Sequence, residues 1–174
     1  MPISRFIFPA VLLFLFTGAV QAQKAVAPAE IGQFNGWTAY RLENDKGRSC
    51  YITTQPAGSE PASARRDPIY IFITHAPKAG KRNEISIKLG YAVKPQSGGS
   101  FEILGGEKFD LATSGEGAWL KDAAKETSAV EAMKKGKEVL VKATSKRGTL
   151  TTDRYSLTGI GKALEKIDRE CAKS

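Results

Sequence analysis

Two cysteines, Cys50 and Cys171, lie 121 positions apart in a chain that opens with the marks of an export signal, and no other feature constrains the fold as strongly. Arg5 precedes an apolar run of about 15 residues, Phe6 to Val20, interrupted only by Pro9, Thr17 and Gly18. Val20 and Ala22 then put small residues at the two positions that signal peptidase reads. A basic start, a short apolar stretch and a small-residue cut site define a secretory signal over residues 1–22, with cleavage expected after Ala22. The competing reading, a membrane anchor, needs roughly 20 apolar residues, and Gln21, Gln23 and Lys24 end the run too early. No cysteine sits just past the cut, so a lipid-anchored start is not expected. The expected location is the periplasm, with the outer surface or the medium as further destinations.

An even cysteine count in an oxidising compartment reads as disulfide chemistry. Two cysteines allow one intramolecular pairing, and buried free thiols are the alternative. A bridge from Cys50 to Cys171 would close nearly the whole fold. The chain-entropy model assigns it roughly 4–5 kcal/mol, a large share of the about 5–15 kcal/mol by which domains are stable.

Residues 23–33 are rich in Ala, Pro and polar side chains and read as a disordered linker, leaving residues 34–174 as a single domain. Strands are expected at 37–42 and 49–55, where Cys50 and Ile52 share one face. A loop over 56–68 contains the pair Arg65 and Arg66. The segment 69–74 is apolar on both faces, which places it centrally in a sheet. After a basic turn over 75–83, residues 84–93 alternate, with Ile85, Ile87 and Leu89 on one side. Short strands follow at 101–104, 108–112 and 117–120. A short helix over 129–135 has Ser128 as cap and Gly136 as terminator, and a second hairpin joins 137–145 to 149–156. The last element is a helix over 159–172 opened by Thr158. There Ile160, Ala163, Leu164, Ile167 and Cys171 fall on one stripe, so Cys171 faces inward. Many short strands closed by a helix indicate a mainly β, antiparallel β-sandwich with a short helix and a C-terminal helix stapled by the disulfide.

The chain carries a formal charge of +8, and loss of Arg5 with the signal leaves +7. Such a charge attracts anionic surfaces, although solubility alone also accounts for it. Lys78, Lys81 and Arg82 gather at one hairpin tip and Lys146 and Arg147 at another, with Lys134, Lys135 and Lys137 near a helix end. Converging tips would form a cationic patch, and the first five of these residues are the candidate anionic-ligand site. The partners it implies are anionic envelope or host-surface molecules. Nucleic acid is not expected, because single-strand binding wants exposed aromatics among the cations, and the strands need their aromatics for a core.

Catalytic patterns are weak. His75 is the only histidine and lacks a Gly-x-Ser-x-Gly companion. Metal is not expected, since zinc draws on several His and Cys ligands. Gly159-Ile160-Gly161-Lys162 resembles the end of a phosphate loop, but Ser156 and Ala163 break the motif. Its glycines read as room for the helix to start close to the sheet. Glu116, Asp122, Glu126 and Glu131 are interleaved with lysines, as on a solvated surface. No Cys-x-x-Cys pair supports redox chemistry. A non-enzymatic chain without a cofactor is the expectation, with a periplasmic maintenance protein and an unconventional hydrolase as the rivals.

The chain resembles the invasion-associated locus B family of exported alphaproteobacterial proteins. The resemblance rests on the export signal, on Phe34-x-x-Trp37, and on Cys50 in the next strand. It rests most on Asp153-Arg154-Tyr155-Ser156-Leu157-Thr158-Gly159-Ile160-x-x-Ala163-Leu164, running on to Cys171. Many members carry further cysteines in the middle of the chain, and this one has none between Cys50 and Cys171. The resemblance implies a small periplasmic or envelope β-sandwich with a role in host-cell entry. It carries no catalytic or ligand residues.

Overall fold

The computed structural model describes residues 26–172; the expected export signal lies outside them. Among the described residues the chain forms β1 (Ala29–Phe34), β2 (Trp37–Asn44), β3 (Gly47–Thr54), β4 (Gly58–Glu60), β5 (Tyr70–Ala76) and β6 (Lys81–Lys88). Then come β7 (Gly99–Ile103), β8 (Lys108–Ser114), β9 (Gly117–Leu120), α1 (Glu126–Lys135), β10 (Glu138–Thr144), β11 (Leu150–Ser156) and α2 (Ile160–Cys171). Hydrogen bonding runs through all the strands as one sheet, in the order β1-β2-β3-β5-β6-β9-β8-β7-β10-β11-β4, and every pairing is antiparallel. The expected mainly β, antiparallel architecture with its short helix and stapled C-terminal helix is the one observed.

Alternation explains how one sheet makes one core. Ile71 and Ile73 of β5, Ile85 and Ile87 of β6, Val139 and Val141 of β10 and Tyr155 of β11 are all buried on the inner face. A strand turns successive side chains to opposite faces, so a curled sheet needs only one apolar residue in two. The ends of the strand order meet across the core, where the Trp37 indole N–H of β2 donates to the Ser156 carbonyl of β11 at 3.0 Å.

α2 packs on β1, β2, β3 and β5, and its expected stripe of Ile160, Ala163, Leu164, Ile167 and Cys171 is buried throughout. Its start is set by Gly159 rather than by a side-chain cap on Thr158. Gly159 has φ 91°, and a Cβ there would run into the Phe34 backbone carbonyl. Only glycine brings the helix this close to β1. Cys171 then bridges to Cys50 on the inner face of β3, with the Cα atoms 6.1 Å apart, well within disulfide reach.

Three local expectations are corrected. The segment 29–33, assigned to the disordered linker, is most of β1. Asn35–Gly36 makes a two-residue turn, with Asn35 at φ 55°, that folds β1 onto β2, the job such Asn-Gly pairs do in hairpins. His75 belongs to β5 and not to the turn, continuing the inward series of Ile71 and Ile73. Ser128 lies inside α1, which follows a 3₁₀ turn capped by the Asp122 carboxylate at the Ala124 N–H, 3.1 Å away.

Oxidised, denatured protein should react with no thiol reagent. In urea unfolding, the Cys50→Ser/Cys171→Ser variant should lose roughly 4 kcal/mol relative to the oxidised protein. A loss below about 1 kcal/mol would show that α2 holds its place without the bridge.

Candidate functional site

The basic turns do not meet. The β5–β6 hairpin turns through Pro77–Ala79 at one end and pairs Tyr70 with Lys88 at the other. Lys78, Lys81 and Arg82 belong to the first end. There Lys78 lies along Gly47 at the start of β3, Lys81 Nζ pairs with Glu84 at 2.6 Å, and Arg82 reaches Asp168 of α2 at 2.6 Å. Lys146 and Arg147 belong to the opposite end: the Lys146 N–H donates to the Ala92 carbonyl at 2.8 Å, just beyond the end of β6. Two of the five candidate residues therefore share a site, and three lie elsewhere, Lys81 and Arg82 among them paired with acidic side chains.

At that second end four connections are tied together by backbone hydrogen bonds. The Asp67 N–H donates to Gly90 O at 2.9 Å, Leu89 to Glu116 O at 2.8 Å, and Val93 to Gly115 O at 2.8 Å. Between them lies an open cleft of about 870 Å³ lined by Arg65, Arg66, Tyr91, Lys146 and Arg147, with Asp67 and Glu116 as its acidic members. The cations come from two connections far apart in sequence, the loop before β5 and the β10–β11 turn.

The floor is a buried ion pair. Asp153 points inward from β11 and is fully buried, and the Arg66 side chain is only 4% exposed. Both terminal guanidinium nitrogens reach the carboxylate, Nη1 to Oδ2 at 2.9 Å and Nη2 to Oδ1, and Ser59 Oγ of β4 donates to Oδ1 at 2.8 Å. Such a two-pronged, hydrogen-bonded arrangement is what a carboxylate needs in order to be buried. The guanidinium lies 5.7 Å from the centre of the Tyr91 ring, a cation–π distance. Tyr91 in turn holds Thr151 Oγ1 at 2.7 Å and donates to Ala143 O at 3.2 Å. Burial pushes its phenol above the ordinary value, so Tyr91 stays neutral. Arg66 is thus consumed by Asp153, and Arg65, Lys146 and Arg147 are the cations the cleft can offer a ligand.

Elsewhere the polar groups have structural work. His75 is 1% exposed; its Nδ1 accepts the Asn83 N–H at 3.1 Å, so the proton sits on Nε2, 3.0 Å from Asp168. Neither ring nitrogen is free to act as a base on a ligand. The acidic residues are dispersed as well: Asp122 caps a turn, Glu131 pairs with Lys134 at 3.0 Å, and Glu126 sits at the start of α1, its pKa raised by burial. Among the described residues no cluster of His, Cys, Asp and Glu could hold a metal, and no helix is long and apolar enough to cross a membrane.

Fold and site together define a small antiparallel β domain with a disulfide-stapled helix at one end and a basic cleft at the other. The family model for the invasion associated locus B (IalB) protein matches residues 37–168, and the chain belongs to that family. Among solved structures it is similar to the crystal structure of invasion associated protein B from Bartonella henselae. That likeness has a TM-score of 0.58 at 12% identity, covering 82% of this chain and 97% of the other, and it establishes shared fold. No curated protein matches the sequence.

Sequence reading noticed Arg65 and Arg66 only as loop residues and missed Tyr91 and Asp153. An acidic residue at an inward strand position, between Thr151 and Tyr155, was the available sign of a buried cationic partner. Arg66→Met alone should cost about 3–5 kcal/mol by leaving that carboxylate unpaired, whereas Arg66→Met/Asp153→Leu should recover most of the loss. Urea unfolding of both variants measures this, and equal losses would contradict a carboxylate held by Arg66.

Proposed function

We propose that this protein is an exported, non-enzymatic envelope domain that binds an anionic macromolecule of the envelope or of a host surface through Arg65, Lys146 and Arg147. The observation that carries the reading is the cleft itself, where cations from two distant connections face one opening and the buried Arg66 beneath them is already neutralised. Membership of a family named for invasion supports a partner outside the cell, and the engagement of both His75 nitrogens argues against a hydrolase.

Cations on a surface attract polyanions, and salt weakens that attraction. The protein should be retained on a sulfated polyanion matrix and released by salt. Arg65→Gln/Lys146→Gln/Arg147→Gln should elute at clearly lower salt. Lys78→Gln/Lys81→Gln/Arg82→Gln carries the same charge change and should elute close to the wild type. Equal shifts for the two triple variants would reduce the effect to net charge and remove the cleft from the account.

A further inference from the structure

The outward face of the sheet carries a row of aromatic side chains that leads into the basic cleft. Tyr40 of β2 and Tyr51 of β3 stack with ring centres 5.2 Å apart. Tyr51 meets Phe72 of β5 at 6.0 Å, and Phe72 meets Tyr70 at 5.8 Å. The next strand, β6, contributes Ser86, which pairs with Phe72 on one side and with Trp119 of β9 on the other. Beside Phe72 the small residues Ser86 and Gly117 leave a trough of about 320 Å³, lined also by Lys88 and Glu116. Glu116 lines the basic cleft too, so trough and cleft adjoin.

Trp119 marks this row as more than cross-strand packing. The other four aromatics have ring partners within the sheet, which accounts for them. Trp119 has no ring partner among the described residues and is 39% exposed. Its indole lies over Gly117, where a Cβ would come within 3.2 Å of the ring. Glycine at that position lets the ring lie down along the sheet with one face to solvent.

The charge distribution selects the occupant. Single-stranded nucleic acid needs cations along its whole backbone, but here they gather at one end of the row. An anionic bilayer favours aromatics ringed by cations, whereas the trough beside these rings sets a single cation, Lys88, next to the acidic Glu116. A peptide strand would add to a sheet edge and not to a face. A polysaccharide with sparse negative charge fits both parts: ring faces take the C–H faces of sugars, neighbouring hydroxyls such as Ser86 meet their hydroxyls, and the cleft takes an acidic substituent. We infer that the outward face of β5, β6 and β9 and the adjoining cleft form one track for an acidic polysaccharide, with Phe72 and Trp119 against sugar rings and Arg65, Lys146 and Arg147 on the anionic group. This rests on the cleft reading above and adds to it the chemical class of the partner.

The test uses a hyaluronan octasaccharide as the sparsely charged acidic glycan and polyglutamate as a polyanion without sugar rings. Trp37 is fully buried and Trp119 exposed, and they are the two tryptophans of the chain. Acrylamide quenching of the emission therefore reports on Trp119. The octasaccharide should protect that emission, and polyglutamate should not. By calorimetry Trp119→Ala should weaken octasaccharide binding about tenfold and leave polyglutamate binding within about twofold, with Trp119→Phe in between. No protection, or equal effects on the two probes, overturns the track while leaving the cleft in place. Octasaccharide and polyglutamate binding both unchanged in the Arg65→Gln/Lys146→Gln/Arg147→Gln variant would instead overturn the cleft reading beneath it.

Discussion

The contact between Arg66 and Asp153 is the one on which the cleft end of the molecule depends. Asp153 stands on the inner face of β11, where its neighbours Thr151 and Tyr155 are also buried. A carboxylate in such a place costs several kcal/mol unless it is matched. The match comes from outside the strand, in Arg66 of the loop before β5 and Ser59 of β4. One acidic residue therefore recruits both the edge strand β4 and the loop that precedes β5. Because Arg66 is held there, its neighbour Arg65 becomes part of the cleft wall. Tyr91, lying over the guanidinium, brings in the connection after β6, and Lys146 is bonded to that connection through Ala92. The cleft is assembled outward from a buried pair.

The opposite end of the sheet is organised by covalent chemistry. The disulfide fixes α2 across β3, and the polar groups around it are spent on one another: Arg82 and His75 on Asp168, Lys81 on Glu84. The basic residues at the two ends thus have different roles. At the stapled end they satisfy acidic partners, and at the cleft end three of them face an opening whose own buried arginine is neutralised.

Much of the scaffold was legible because it follows from short-range periodicity. The inward series Ile85, Ile87 and Leu89, the α2 stripe and the inward position of Cys171 each need only local sequence. Extending the β5 series by two positions would have put His75 inside rather than in a turn, and Asn35–Gly36 would have announced β1. What local pattern could not show is which turns meet. The β5–β6 and β10–β11 tips look equivalent in sequence, both short and basic. Their placement depends on a strand order in which β9, β8 and β7 are inserted between the two hairpins. The aromatic row was hidden for a similar reason: Phe72, Ser86 and Trp119 become neighbours only through the register of three strands, and each looks like an ordinary sheet residue in its own segment.

The most direct test of the cleft as the binding site is an amide chemical-shift titration of the folded, oxidised protein with an acidic oligosaccharide. The account expects the largest changes at 63–67, 90–92 and 145–149, with amides of the β5–β6 turn at 77–82 unmoved. Changes centred on 77–82, with the cleft amides silent, would contradict it.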